Sequence, residues 1–172
     1  MKHLYILFFL LICNASKSDN HEIKALAVLN KKFSNITGEF YFTQNNNGPT
    51  IIEGTISGLK PGKYGFHIHE NGNLKTSCKD AGGHYNPMNV EHGNLEKGHV
   101  GDLGNILITE DSKTKIKIVA NRVSLSGSFS VLNRTIMIHG KTDDIGLGSN
   151  KGSKIHGNAG PRIGCGIIKK II

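Results

Sequence analysis

Nowhere in the 172 residues does an apolar run approach the roughly 20 residues that a membrane-spanning helix needs. The chain also has no linker, internal repeat or low-complexity tail, so its length reads as one domain. Its lysines are dispersed and form no basic helix or aromatic-interleaved patch, which excludes specific nucleic-acid binding despite a formal charge of +8. Loose adhesion to anionic surfaces is all that the charge allows. Disorder is excluded as well, because 37% of the residues are hydrophobic and 20% charged. Cysteine is scarce, with three in the chain.

The short apolar run that does exist lies at the N-terminus. Lys2 precedes LYILFFLLIC (4–13), and the small-residue patch Asn14, Ala15, Ser16 follows. This order is that of a secretory signal, residues 1–15, cleaved after Ala15, with cuts after Ser16 or Ser18 also open. The competing readings are a buried strand or a membrane anchor, and the run is too short for the second. A lipoprotein-type cut before Cys13 is disfavoured by the bulk of Ile12. Cleavage removes Cys13 and leaves a domain over 16–172 with Cys78 and Cys165, which permit one intramolecular bridge. An even count in an exported protein favours that bridge.

What the chain has in abundance is glycine, 22 residues, set between short strand-like runs. EIKALAVLN (22–30) reads as a strand, although alone it also suits a short helix. GEFYFTQ (38–44), TIIEGTISGL (50–59), KYGFHIHE (63–70), NILITED (105–111), TKIKIVANR (114–122), RTIMIHG (134–140) and RIGCGIIKKII (162–172) follow, separated by Asn-, Gly- and Pro-rich turns. In the sixth run Ile116, Ile118 and Ala120 alternate with Lys115, Lys117 and Val119, giving one buried and one wetter face. Eight short strands predict an all-β, antiparallel sandwich or flattened barrel. Two stretches, 71–102 and 141–160, read as long loops. A structureless stretch as long as the first needs something to hold it.

That first loop and the strand before it carry an unusual set of side chains. His67 and His69, two apart on a strand, project from one face. His84, His92, His99 and Asp102 crowd the loop, and His139 ends a later strand. A single histidine is more often structural than a ligand; here the arrangement makes the argument. Seven candidate ligands exceed what one tetrahedral ion needs, so two sites are the economical solution, particularly if one histidine uses both ring nitrogens. An all-imidazole set suits copper, and three imidazoles with a carboxylate suit zinc.

The segments GFHIHENG (65–72), GGHYNP (82–87), HVGDLGN (99–105), HGKTDD (139–144) and GNAGPRIGCGI (157–167) resemble, in order, the motifs of the copper/zinc superoxide dismutases, secreted type. The resemblance runs from about residue 22 to 168. It implies an eight-stranded antiparallel Greek-key barrel in which 71–102 is the metal-binding loop and 141–160 the electrostatic loop. It further implies copper on His67, His69, His84 and His139, and zinc on His84, His92, His99 and Asp102. Cys78 would pair with Cys165, Asp143 would hydrogen-bond His67 and His92, and Arg162 would hold the incoming anion. The implied activity is dismutation of superoxide, with His84 releasing and delivering a proton, in a secreted homodimer (periplasmic in a bacterium). Asn35 and Asn133 head N-glycosylation sequons, the second near the family's dimer-forming region.

The chain departs from the family pattern in four places. The segment between His92 and His99 is short, and Asn71 stands where many animal dimers have an interface phenylalanine. Lys151 and Gly152 replace an acidic pair, and His156 replaces a threonine that often narrows the channel. Lys141, Lys151 and Lys154 would make a more attractive rim for an anion, while His156 would titrate or bind stray metal. The rival readings are a non-catalytic copper buffer or chaperone on the same scaffold, a copper-only relative, and a structural adhesion domain. The presence of Arg162 and of all the zinc ligands weighs against the first two, and the third leaves the histidines unexplained.

Overall fold

The computed structural model describes residues 21–29, 31–111 and 114–171. The signal segment expected over 1–15 lies outside the described residues. Eight strands form: β1 (Glu22–Val28), β2 (Thr37–Asn45), β3 (Thr50–Ser57), β4 (Gly62–His69), β5 (Asp102–Ile108), β6 (Thr114–Ala120), β7 (Thr135–His139) and β8 (Arg162–Lys170). They lie side by side as β5-β4-β7-β8-β1-β2-β3-β6. Every neighbouring pair is antiparallel, and β5 and β6 approach each other across the seam. The sheet therefore curls almost into a barrel, with the Greek-key order expected from the sequence.

Alternation explains the inner face. Ile23, Ala25 and Ala27 of β1 point inward, as do Phe40 and Phe42 of β2 and Ile52 and Ile56 of β3, all buried. The Phe40 and Phe66 rings meet at 5.0 Å between centroids, within the range of favourable tilted pairs. The alternation expected in β6 is present: Ile116 and Ala120 are buried while Lys115, Lys117 and Val119 are exposed.

The β4–β5–β7–β8 side departs from that simple alternation. Residues 65–69 of β4 and all of β7 are buried on both faces, because the two long loops cover what would be the outer surface. Register shifts fall between Gly65 and His67 in β4 and between Ile138 and His139 in β7. Such bulges re-aim the side chains that follow them, and here those are histidines. The first loop does not float: Ile68 donates to the carbonyl of Gly101 (2.8 Å), Tyr85 donates to that of Ile68 (2.8 Å), and Gly101 to that of Tyr85 (2.9 Å). Only glycine fits at 101, since a Cβ there would lie 2.1 Å from the Ile68 carbonyl oxygen.

Both loops contain a short helical turn that the sequence patterning did not indicate. Cys78–Ala81 is a 3₁₀ turn closed by a capping box between Ser77 and Asp80. Lys151–His156 is a helix, α1, with Asn150 capping its start and Gly157, in the left-handed region, ending it. A disulfide joins Cys78 to Cys165 of β8, 87 residues apart, and so ties the first loop to the last strand. Met137 of β7 and Ala81 pack around it.

Candidate metal centre

Strand alternation separates the two duties of β4. Phe66 and Ile68 fill the barrel core, while His67 and His69 face the loops. His139 arrives from the end of β7, which pairs with β4. His84 is brought over by an isolated bridge to His69. His92 and His99 come from the loop, and Asp102 opens β5 opposite His67. All seven side chains belong to buried residues, none more than 8% exposed.

Potential ligand atoms of His67, His69, His84 and His139 lie within 4.8 Å of one another, and so do those of His84, His92, His99 and Asp102. His84 belongs to both groups. A third group joins His67 and His92 to Asp143.

The hydrogen bonds decide which nitrogens remain for an ion. His67 donates from Nε2 to Asp143 Oδ2 at 2.8 Å, and His92 donates from Nε2 to Asp143 Oδ1 at 2.8 Å. With Nε2–H committed on both rings, the Nδ1 atoms are the ones left to face an ion, and both are buried without a hydrogen-bond partner. His69 donates from Nδ1 to the carbonyl of Gly82 (2.9 Å), and His139 from Nδ1 to that of Gly160 (3.1 Å). That leaves the two Nε2 lone pairs, 3.2 Å apart. The Nε2 of His84 is the third buried nitrogen without a partner. Four imidazole lone pairs thus converge without four protons to separate them.

On the other side of His84, three Nδ1 atoms crowd one carboxylate. His84 and His99 lie 2.8 and 3.2 Å from Asp102 Oδ1, and His92 lies 3.0 Å from Oδ2 without hydrogen-bond alignment. Asp102 Oδ2 is also held by the backbone N–H groups of His99 (2.7 Å) and Gly93 (3.0 Å). Three imidazoles and a carboxylate are the donor set of a closed zinc site, and four imidazoles suit copper. The residues fit two ions joined by one ring.

The electrostatics agree. Burial, and then the neighbouring His84, lower the pKa of His67 to about 3 and that of His69 well below its usual value. Burial lowers His139 to about 4, against the opposing hydrogen bond to Gly160, and also lowers His84. These rings are neutral, as metal binding requires. His92 is the exception: burial opposes its charge, but the adjacent carboxylates of Asp102 and Asp143 outweigh it and raise its pKa to about 9. A proton on His92 supplies part of the positive charge that the buried carboxylates demand.

Asp143 is in turn fixed by its neighbours. Its N–H donates to Asn105 Oδ1 (2.8 Å), and Asn105 Nδ2 donates to its carbonyl (2.9 Å). Gly157 passes so close that a Cβ would sit 1.8 Å from Asp143 Oδ1. The sequence reading singled out Asp143 but none of these supports, nor the Gly82 and Gly160 carbonyls. Asn105 ends the HVGDLGN motif and was within reach; a backbone carbonyl leaves no mark in a sequence.

A bowl of about 500 Å³ opens over the four-histidine group, lined by His69, His84, His139, Lys141, His156 and Arg162 among others. Arg162 is the cross-strand partner of His139. Its guanidinium donates to the carbonyls of Cys78 (3.2 Å), Lys79 (2.9 Å) and Gly82, all in the disulfide-tethered turn. Of the three lysines expected at the rim, only Lys141 lines the bowl. Lys154 turns away and donates to the carbonyl of Gly146 (2.7 Å).

Residues 36–168 match the family described as copper/zinc superoxide dismutase. Superoxide dismutase [Cu-Zn] 5 of Dictyostelium discoideum is 51% identical over 140 residues, spanning 80% of this chain and 92% of that protein. Among solved structures, the clock protein EA4 superposes with a TM-score of 0.80 at 40% identity, over 85% of this chain and 93% of that one.

Proposed function

The chain belongs to the copper/zinc superoxide dismutase family, and from that premise we propose a residue-by-residue assignment of its centre. Copper is held by His67 through Nδ1 and by His69, His84 and His139 through Nε2. Zinc is held by Nδ1 of His84, His92 and His99 and by Asp102. The observation that carries the assignment is the membership of His84 in both donor groups.

The activity is dismutation of superoxide: two superoxide anions and two protons give dioxygen and hydrogen peroxide. Copper, when bound, supplies the alternating one-electron reduction and reoxidation; zinc has no redox chemistry of its own. The chain supplies the rest. Arg162 presents a fixed planar cation beside His139 and orients the incoming anion, its geometry set in advance by three carbonyls. His84 Nε2, buried at the floor of the bowl, would hold a proton only when copper does not occupy its lone pair, and would then deliver that proton to the reduced product. Asp143 orients His67 and His92 and fixes their tautomers. A copper buffer would need the histidines but not this arginine.

The proposal extends to an exported homodimer. The Cys78–Cys165 bridge supports an oxidising compartment, and no helix among the described residues is long and apolar enough to cross a membrane. Asn35 and Asn133 are both exposed, as glycan acceptors must be.

Metal analysis of two variants tests the assignment. His139→Ala should lose copper and activity while keeping zinc, and His99→Ala should lose zinc first. Loss of the same ion in both variants would contradict it.

A further inference from the structure

Arg122 lies in the connection that follows β6, just past Ala120. Its base is rigid: Val123, next in the chain, is buried, and its carbonyl accepts from the hydroxyl of the buried Thr50 (2.7 Å). The half-buried side chain crosses to the first loop, where its guanidinium donates from Nη1 to the carbonyl of Gly98. No carboxylate among the described residues forms an ion pair with it.

That carbonyl belongs to a peptide unit with a second partner. The N–H of the same unit, that of His99, donates to Asp102 Oδ2 at 2.7 Å. One peptide is therefore gripped at both ends, its oxygen by a cation and its N–H by a buried carboxylate. A cation on the oxygen polarises the amide and strengthens the hydrogen bond its N–H donates. Gly98 lies so close over the carboxylate that a Cβ would sit 2.4 Å from Asp102 Oδ2. The ion-pair partners of Asp102 among the described residues are histidines, so the guanidinium acts on it through the peptide and not by direct contact.

The rest of the segment between His92 and His99 cannot do this. Asn94 closes a turn on itself, accepting at Oδ1 from the N–H groups of Glu96 (3.1 Å) and Lys97 (3.0 Å) and at its carbonyl from that of Gly98 (2.9 Å). Those bonds set the shape of the turn and not its place. Among the described residues, two hydrogen bonds tie 93–98 to other parts of the chain: Gly93 to Asp102 Oδ2 (3.0 Å) and Arg122 to Gly98. The first ends on the carboxylate that must itself be positioned, which leaves Arg122 as the independent tie.

We propose that Arg122 is a positioning residue for the zinc half of the centre, acting through the Gly98–His99 peptide. It holds His99 in place and keeps Asp102 Oδ2 engaged by backbone N–H groups. Oδ1, the oxygen facing the Nδ1 atoms of His84 and His99, is then left for the ion. The inference rests on the zinc assignment above and adds to it a residue outside both metal-bearing loops.

The test uses the full protein loaded with copper and zinc. Arg122→Met keeps an apolar stem and removes the charge and the donor; zinc release to a chelator should become roughly ten-fold faster, with copper retained. Arg122→Gln, which leaves a polar group at this half-buried position, should act in the same direction and stands in if Arg122→Met does not fold. Arg122→Lys restores a cation and should bring the release rate back towards the native one. Cobalt(II) placed in the zinc position gives a second readout: its visible spectrum should change in the two uncharged variants and return towards the native form in Arg122→Lys, while the copper(II) EPR spectrum stays native in all three. Native zinc release in the uncharged variants, no recovery in Arg122→Lys, or copper lost in step with zinc, the mark of a loosened fold, overturns the inference. A native protein that takes up no zinc beside its copper would overturn the zinc assignment instead, whereas native zinc release from uncharged variants holding both ions overturns this inference alone.

Discussion

Arg162 and His69 share one acceptor: both the guanidinium and the Nδ1–H of the imidazole donate to the carbonyl oxygen of Gly82. In the proposed assignment, the group that orients the substrate and a group that holds copper are thus referenced to the same atom. Arg162→Lys keeps the charge but loses the planar fork. Copper and zinc contents should be unchanged while the second-order rate falls roughly ten-fold. A variant that loses copper, or one with the native rate, would contradict the division of roles. Metal analysis beside stopped-flow kinetics distinguishes the cases.

The Cys78–Cys165 bridge holds the turn whose carbonyls receive Arg162. Closing a loop of this length restricts the unfolded chain by about 4–5 kcal/mol in the chain-entropy account. Cys78→Ser should therefore lower the free energy of unfolding by about that much and also slow dismutation, because Arg162 loses its anchored turn. Denaturant unfolding and activity, measured on one metal-loaded preparation, test both halves.

Asp143 accepts from two imidazoles, one oxygen to each. An asparagine offers one oxygen and one N–H group, so Asp143→Asn satisfies one ring and repels the other. His67 is fixed within β4, whereas His92 lies on the loop and depends on Asp143 for its orientation. Zinc affinity should fall roughly 10–100-fold with copper retained, as read by competition with a chelator. Equal loss of both metals would contradict the asymmetry.

The metal-free protein should be squeezed from two sides in pH. His67 and His139, lowered to about 3 and about 4 from the usual 6.5, bind fewer protons folded than unfolded. Stability therefore falls as pH drops from 6.5 towards those values, and His69 and His84 add to the loss. His92 acts oppositely: raised to about 9, its contribution is complete below 6.5 and is lost as pH climbs through 9. The melting temperature of the metal-free form should peak near neutrality and decline both ways. Loading with metal should flatten the alkaline limb, since an ion then replaces the His92 proton.

The sequence made the barrel legible because each strand obeys a local rule. The alternation in β6 and the turn residues between 44 and 50 need no knowledge of the rest of the chain. The clustering of the histidines was legible in part for a different reason, since His67 and His69 share a face by strand geometry alone. The helices at Cys78–Ala81 and Lys151–His156 were not legible, because each spans about one turn and is held by caps and by long-range ties. The supports of the site were hidden for the same cause. Gly82 and Gly160 act through carbonyls, and Asn105 clamps Asp143 across 38 residues. The rim showed the limit most plainly: Lys154 counted as a steering charge in the sequence, yet its ammonium donates to the Gly146 carbonyl and does not line the bowl.

The most direct test is the dismutation rate of the purified protein with its copper and zinc counted in the same sample. One copper and one zinc per chain and a second-order rate near the diffusional ceiling, about 10⁸–10⁹ M⁻¹s⁻¹, are the predicted result. A rate no greater than that of the same amount of free copper, in a chain holding both ions, would contradict it.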